Sequence, residues 1–235
     1  MGVQSATVSW RLVQSVEQLL HVALYTRAVL DLPPAAGAPP ALRSGPAPSP
    51  ALLGGDPAEA ARAWEDWWDD LVALTALLRG ADRAPAAPPT PAAGAVGGPP
   101  AGSGQDSTRW AGWTHWRDRV IRAPAGPPDY DGLHPLLRPA AVTTWRAANT
   151  WTTCNARGLR QELPEGVAAT AAAAVAFDHH IPLAEVHGLL LPLAVTGIWW
   201  AQWAPGIVLC SLDALTDPTT ARAVAYTTLA GPHRT

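Results

Sequence analysis

Residues 186–210, VHGLLLPLAVTGIWWAQWAPGIVLC, decide the fold class. Val186 to Val195 is a continuous apolar run bounded by turn formers, the pattern of a buried strand. Pro192 cannot donate to a ladder, which predicts an edge position or a bulge for the second half of that run. Ile207 to Cys210 predicts a second short strand. Downstream, Asp217-Pro218 places an N-cap residue before a Pro at the first helical position, so a helix is expected over 218–230, closed by Gly231. Upstream, the Ala-rich segment 165–180 predicts a helix ending before Pro182. The order helix, strand, strand, helix gives an α+β unit with a small two-stranded element.

Outward from this unit the chain is helical. Leu12, Val16, Leu19, Leu20 and Ala23 recur at helical spacing, which predicts a first helix over 5–31 that stops at Pro33-Pro34. A second helix is signalled at both ends. Asp56 caps it, Pro57 opens it, Glu59 completes a capping-box-like start, and Gly80 is placed to end it. Trp64, Trp67, Trp68, Leu71, Leu74 and Leu78 form its apolar stripe, with Glu65, Asp66, Asp69 and Asp70 on the other face. The two helices are expected to pair as an antiparallel hairpin over residues 1–80, with 33–55 as a flexible Pro-rich loop. Residues 81–105 are dominated by Pro, Ala and Gly and predict a disordered linker. A Trp-rich helix is expected at 107–122. Another is expected at 139–161, with Val142, Trp145, Ala148, Thr152 and Leu159 on one face. Residues 106–235 thus form the predicted second, predominantly helical α+β domain.

Composition excludes much chemistry. The 235 residues hold sixteen Arg, twelve Trp and no Lys. Without Lys the chain cannot build a P-loop, a Schiff-base enzyme or the phosphate-pairing Lys of a protein kinase. The formal net charge of -3 provides no basic field for nucleic acid or anionic membrane. Two Cys are too few for a disulfide framework and predict reduced thiols in a cytoplasmic protein. The first residues lack a signal-peptide pattern, and Leu19 to Leu32 is too short and too polar to span a membrane. Arg in place of Lys, with abundant Ala, Gly and Pro, fits the coding bias of a high-GC bacterium.

Four constellations stand out. Asp178, His179, His180 and His187 offer imidazole and carboxylate ligands for zinc or another transition metal, which would make a small metal-dependent hydrolase. Adjacent His on a regular helix point about 100° apart, and near a helix C-terminus they also fit the macrodipole. Arg109, Trp110, Trp113, His115, Trp116, Arg117, Arg119 and Arg122 interleave bases' stacking partners with phosphate ligands, yet Asp106 and Asp118 dilute the charge, so a core or docking helix is expected rather than nucleic-acid binding. The acidic run 65–70 has the form of a solvated face. Trp199, Trp200 and Trp203 exceed what a hairpin connection needs, and Trp dominates interface hot spots. No Gly-x-Ser-x-Gly elbow or dinucleotide fingerprint is present, and Cys154 and Cys210 fall in a helix and a buried strand. The leading expectation is a non-enzymatic intracellular interaction or regulatory module that contacts an unidentified protein partner through Trp199, Trp200 and Trp203 and needs no cofactor.

Overall fold

The computed structural model describes residues 10–35, 37–79, 133–159 and 162–231. In chain order its elements are β1 (Arg11–Gln14), α1 (Gln18–Leu30), α2 (Pro57–Arg79), α3 (Arg138–Leu159), α4 (Val167–Asp178), β2 (His187–Leu193), β3 (Trp200–Ala204), β4 (Ile207–Ser211), α5 (Leu212–Thr216) and α6 (Pro218–Ala230). The class is mixed α+β, as expected. The expected two-stranded element is instead a four-stranded sheet of order β1-β2-β4-β3. β2 runs parallel to both β1 and β4, and β3 returns antiparallel to β4.

The alternating sides of β2 hold two helical layers. Leu189, Leu191 and Leu193 share a core with Leu209 of β4 and with α1, α2 and α3. On the opposite face, Leu190 packs with Val208, Cys210, Leu215 and Val224. Gly188 lies on that second face, where an added Cβ would sit 2.6 Å from the Thr228 carbonyl oxygen of α6. The absent side chain is what lets α6 lie against the strand.

Two strands depart from the sequence expectation. The first helix begins at Gln18 rather than residue 5, because Arg11–Gln14 pairs with His187–Leu190. Leu12 and Val13 point to opposite cores, the period of a strand. Leu12 also lies four residues before Val16, so a helical period fits the same residues, and only the partner strand decides between them. The second departure is β3, which holds Trp200 and Trp203 where a hairpin connection was expected. Pro192 is accommodated without a bulge. Ser15 N–H donates to the Leu190 oxygen (3.0 Å), so even-numbered β2 residues face β1 and odd ones face β4. The missing N–H of Pro192 therefore points to the flank where β1 has ended, and no ladder bond is lost.

The helices form for local reasons. Asp56 accepts from Ala58 N–H (3.1 Å) at the start of α2, and Trp64, Trp67, Trp68, Leu71 and Leu74 are buried as the stripe requires, whereas Leu78, its expected last member, is exposed in the final turn. Trp64 stacks on Trp68 with centroids 5.4 Å apart, and its indole N–H donates to the Ala23 carbonyl of α1 (2.8 Å). α3 turns most of the expected face inward: Ala148 and Thr152 are buried and Trp145 packs against the same core, while Val142 is exposed and Ala141 and Thr144 are buried in its place. Both threonine hydroxyls donate to carbonyls one turn earlier, so these small residues let α1 approach closely without stranding a polar group. α6 is capped by Asp217, which accepts from the Thr220 backbone and hydroxyl (2.8 and 2.6 Å). Its closing Gly231 has right-handed dihedrals. That position needs Gly because a Cβ would sit 2.1 Å from the Gly206 nitrogen.

The Pro-rich segment after α1 is stitched down. Leu42 is buried and bridges to Val195, Arg43 N–H donates to the Ala194 oxygen (2.8 Å), and the Arg43 side chain pairs with Asp213. Arg27, itself buried, donates to the Pro40 carbonyl and lies 4.8 Å from the Trp64 ring centroid. Burial pulls its pKa down to about 10, so it stays cationic at neutral pH. β1 from the N-terminal part and β2 from the C-terminal part share one sheet, so the helical hairpin does not stand apart from the C-terminal unit. The expected linker at 81–105 and Trp-rich helix at 107–122 lie outside the described residues. Gly188→Ala is expected to lower unfolding stability by about 1–3 kcal/mol, the range for an overpacked core, as measured by urea denaturation.

Candidate interaction edge

β3 is the outer strand of the sheet, and its ladder sets which backbone groups face outward. The Ser211 N–H donates to the Trp199 oxygen (2.8 Å), and the pairing continues as Trp200 with Cys210, Ala201 with Leu209 and Gln202 with Val208. In an antiparallel pair the hydrogen-bonded positions alternate. Trp199 and Ala201 therefore face β4, while the N–H and C=O of Trp200 and Gln202 face away from it. The register slips between Gln202 and Ala204, leaving Trp203 as the extra residue of a bulge. Pro205 and Gly206 close the hairpin, with Gly206 at φ 79°, a conformation glycine takes without strain. Among the described residues, no strand pairs with the outer side of β3.

The three tryptophans straddle this edge, all partly buried. Trp199 and Trp203 pack on the face covered by α1 and α2, and Trp200 packs on the opposite face with Cys210 and Leu190. Trp203 also meets Ala73 and Leu74 of α2, and its indole N–H reaches the Asp69 carboxylate at 3.4 Å. Trp199 is placed by Ser211. That buried hydroxyl accepts from the Trp199 N–H (3.0 Å) and from Ala214 N–H at the start of α5 (3.1 Å). Ile198, 62% exposed, flanks the strand. The indoles thus serve the core on one side and the edge on the other.

The four expected metal ligands are not brought together. Asp178 accepts from the Tyr226 hydroxyl (2.8 Å), which turns it toward α6. His179 sits at the C-cap of α4, and His180 takes a left-handed φ of 53° that reverses the chain. His187 opens β2 with its Nδ1 2.7 Å from the Glu185 carbonyl. Among the described residues, no group of three or more His, Cys, Asp or Glu is placed to hold a metal ion. The acidic run on α2 is spread along that helix, where Glu65 is pushed up by partial burial and then by Asp69 and Asp66. Cys154 is exposed on α3. Cys210 is buried on β4, and burial pushes its thiol up, which leaves it protonated and inert.

One buried polar side chain went unread in the sequence. His21 is fully buried, with ring centroid 6.0 Å from that of Trp151. Its Nε2 accepts from the Ala194 N–H (3.3 Å), and its Nδ1 is 2.8 Å from the Glu17 carbonyl. A backbone N–H can only donate, so Nε2 holds the lone pair and Nδ1 carries the proton. Burial is the largest influence and lowers the pKa, outweighing the opposing pull of Glu17. Its position four residues from Glu17 on an apolar helix face carried no chemical signature. Nor did Gln202, whose significance depends on where the ladder ends.

Comparison with family models, with curated proteins and with solved structures gives no match to this chain.

Two outcomes are expected here. Truncating Trp203 to Ala should cost about 2 kcal/mol of stability, less than the range for a fully buried Trp because the indole is only partly covered; a chemical melt measures it. His21 favours the neutral form in the folded state, so its contribution is complete above pH 6.5 and declines as pH falls below that value. Urea midpoints of wild type and His21→Gln should therefore converge as pH is lowered from about 7.5 to about 5. A constant difference across that interval would contradict the neutral, desolvated imidazole.

Proposed function

We propose that this chain is a non-enzymatic protein-interaction module of the cytosol that takes an extended segment of a partner protein onto the outer edge of β3. The observation that carries this reading is the pair of outward N–H and C=O sets at Trp200 and Gln202. Two residues apart along a strand is about 6.7 Å, the repeat at which an added strand exchanges hydrogen bonds. The strand sequence Trp-Ala-Gln-Trp-Ala carries no charge and no Pro, two of the usual devices that discourage pairing, and its bulge falls after Gln202, beyond the two outward-facing positions. The indoles on either face supply apolar area beside the backbone contacts, as interface anchors do. The net charge of -3 supports a protein partner over nucleic acid. Two unpaired thiols support a reducing compartment, and no helix among the described residues is long and apolar enough to cross a membrane.

The test uses a displayed library of random, extended peptides selected on the full-length protein, followed by anisotropy titration of the enriched sequences. Gln202→Pro removes an N–H that makes no bond to β4, so the fold is retained, as circular dichroism and melting temperature check. Enriched peptides should bind wild type and lose at least about tenfold in affinity to Gln202→Pro, one or two edge hydrogen bonds' worth. Absence of enriched peptides, or binding indifferent to Gln202→Pro, would sink the proposal. A concentration-dependent dimer lost in the same variant would also do so, by assigning the edge to a second copy of the chain.

A further inference from the structure

The ladder of β2 with β4 ends at Leu193, paired with Ser211. The chain returns to Ser211 at Trp199, whose N–H donates to the Ser211 hydroxyl (3.0 Å) and whose carbonyl accepts from the Ser211 N–H (2.8 Å). The residues between, 194–198, are held from elsewhere. The Ala194 N–H donates to His21 Nε2 (3.3 Å), and the Ala194 carbonyl accepts from the Arg43 N–H (2.8 Å). The Thr196 N–H donates to the Ala41 carbonyl (2.9 Å), and Leu42 bridges to Val195. A single imidazole lone pair thus stands behind the seam that fastens the strap 41–43.

That lone pair is also where the ring takes a proton. Nδ1 already carries its hydrogen toward the Glu17 carbonyl (2.8 Å). A protonated ring has two N–H groups and no acceptor, so Nε2–H and the Ala194 N–H would point at each other and must separate. We propose that His21 is a proton-operated latch: a proton taken up at Nε2 holds residues 194–198 and the strap 41–43 open while the sheet and its helices stay folded. The ring is fully buried, so the proton reaches it in the open form and traps that form. The limits of the opening are set by bonds that owe nothing to His21. Ser211 pins both ends of the 194–198 segment. The strap stays tied at Pro40 by Arg27 and at Ser44 by the Trp151 indole N–H (2.9 Å). Of the charged groups around the ring, Glu17 on the same helix favours the cation, but its carboxylate is shared by the Ser15 hydroxyl and by Arg79 of α2. α3 meets the ring with the uncharged Trp151, and Arg43 of the strap is matched by Asp213 of α5.

The experiment follows native-state amide hydrogen exchange of the full-length, isotope-labelled protein from about pH 7.5 to about pH 5, above the ordinary carboxylate range. Each rate is divided by its intrinsic rate at that pH. The amides of Ala194, Arg43 and Thr196 should lose protection about tenfold per pH unit below about 6.5, the ordinary imidazole value. Their exchange should hardly respond to low urea. The Leu191 amide, inside the β2–β4 ladder, should stay better protected and respond steeply. In His21→Gln the pH dependence of the three amides should vanish, and in Asp213→Asn it should persist. Exchange of the three amides with the protection and urea response of Leu191 would mean that they open only with the whole fold, which overturns the proposal. So does a pH dependence that survives His21→Gln, or one that is lost in Asp213→Asn. Ring-nitrogen spectra of the wild type decide the matter without either variant. A His21 ring that becomes charged only as Ala194 loses protection supports the latch; a charged ring beside a still-protected Ala194 amide overturns it.

Discussion

The burial of His187–Leu193 on both faces is the constraint from which the rest of the architecture follows. Leucines on one side of this strand hold the α1–α2–α3 layer, and Gly188 and Leu190 on the other side admit α6. Its two backbone flanks are equally committed, one to β1 and one to β4. An element enclosed on four sides has little freedom in register, because a slip of one residue would exchange the two leucine sets between cores. β3 is the outer strand of the same sheet, so the backbone groups of Trp200 and Gln202 that point away from β4 meet no strand among the described residues. The edge proposed to receive a partner is thus a product of the same ladder that fixes the core.

How much of this was legible depends on whether the deciding interaction is local. The start and most of the stripe of α2 were written in sequence, since Asp56, Pro57 and the Trp/Leu positions up to Leu74 act within a few residues of one another. So were α6 and β4. β1 was hidden because Leu12 satisfies a helical period as well as a strand period, and its partner lies near the other end of the chain. β3 was hidden because three tryptophans in five residues look like an insertion, when each in fact packs on a different part of two cores. The Pro-rich stretch after α1 looked too poor in apolar residues to pack, yet one leucine, Leu42, and two arginines tie it down. Composition counts apolar residues but not the backbone bonds that a neighbouring strand end can offer.

The candidate sites show the same division. Tryptophan density drew attention to residues 199–203, which were expected to connect two strands and instead hold an edge strand, while the feature on which the interaction proposal rests is the direction of two peptide groups, which no residue type announces. Histidine and aspartate density pointed to Asp178, His179, His180 and His187, and there geometry disperses what proximity in sequence suggested. Burial instead acts on His21, which composition gave no reason to single out. Chemistry-bearing residue types mark possibilities; which becomes a site depends on the lone pairs and protons left over once the fold has used its share.

The parallel pairing of β1 with β2 has a consequence for synthesis. Leu12 meets Gly188, about 175 residues later in the chain. At a translation rate of roughly 5–20 residues per second, the first strand waits on the order of ten seconds or more after leaving the ribosome before its neighbour exists. During that interval α1 and α2 can associate, but the strand ahead of them has nothing to pair with and its backbone remains open to other chains. The strand of the sheet that is made first is therefore the one that waits longest for its neighbour.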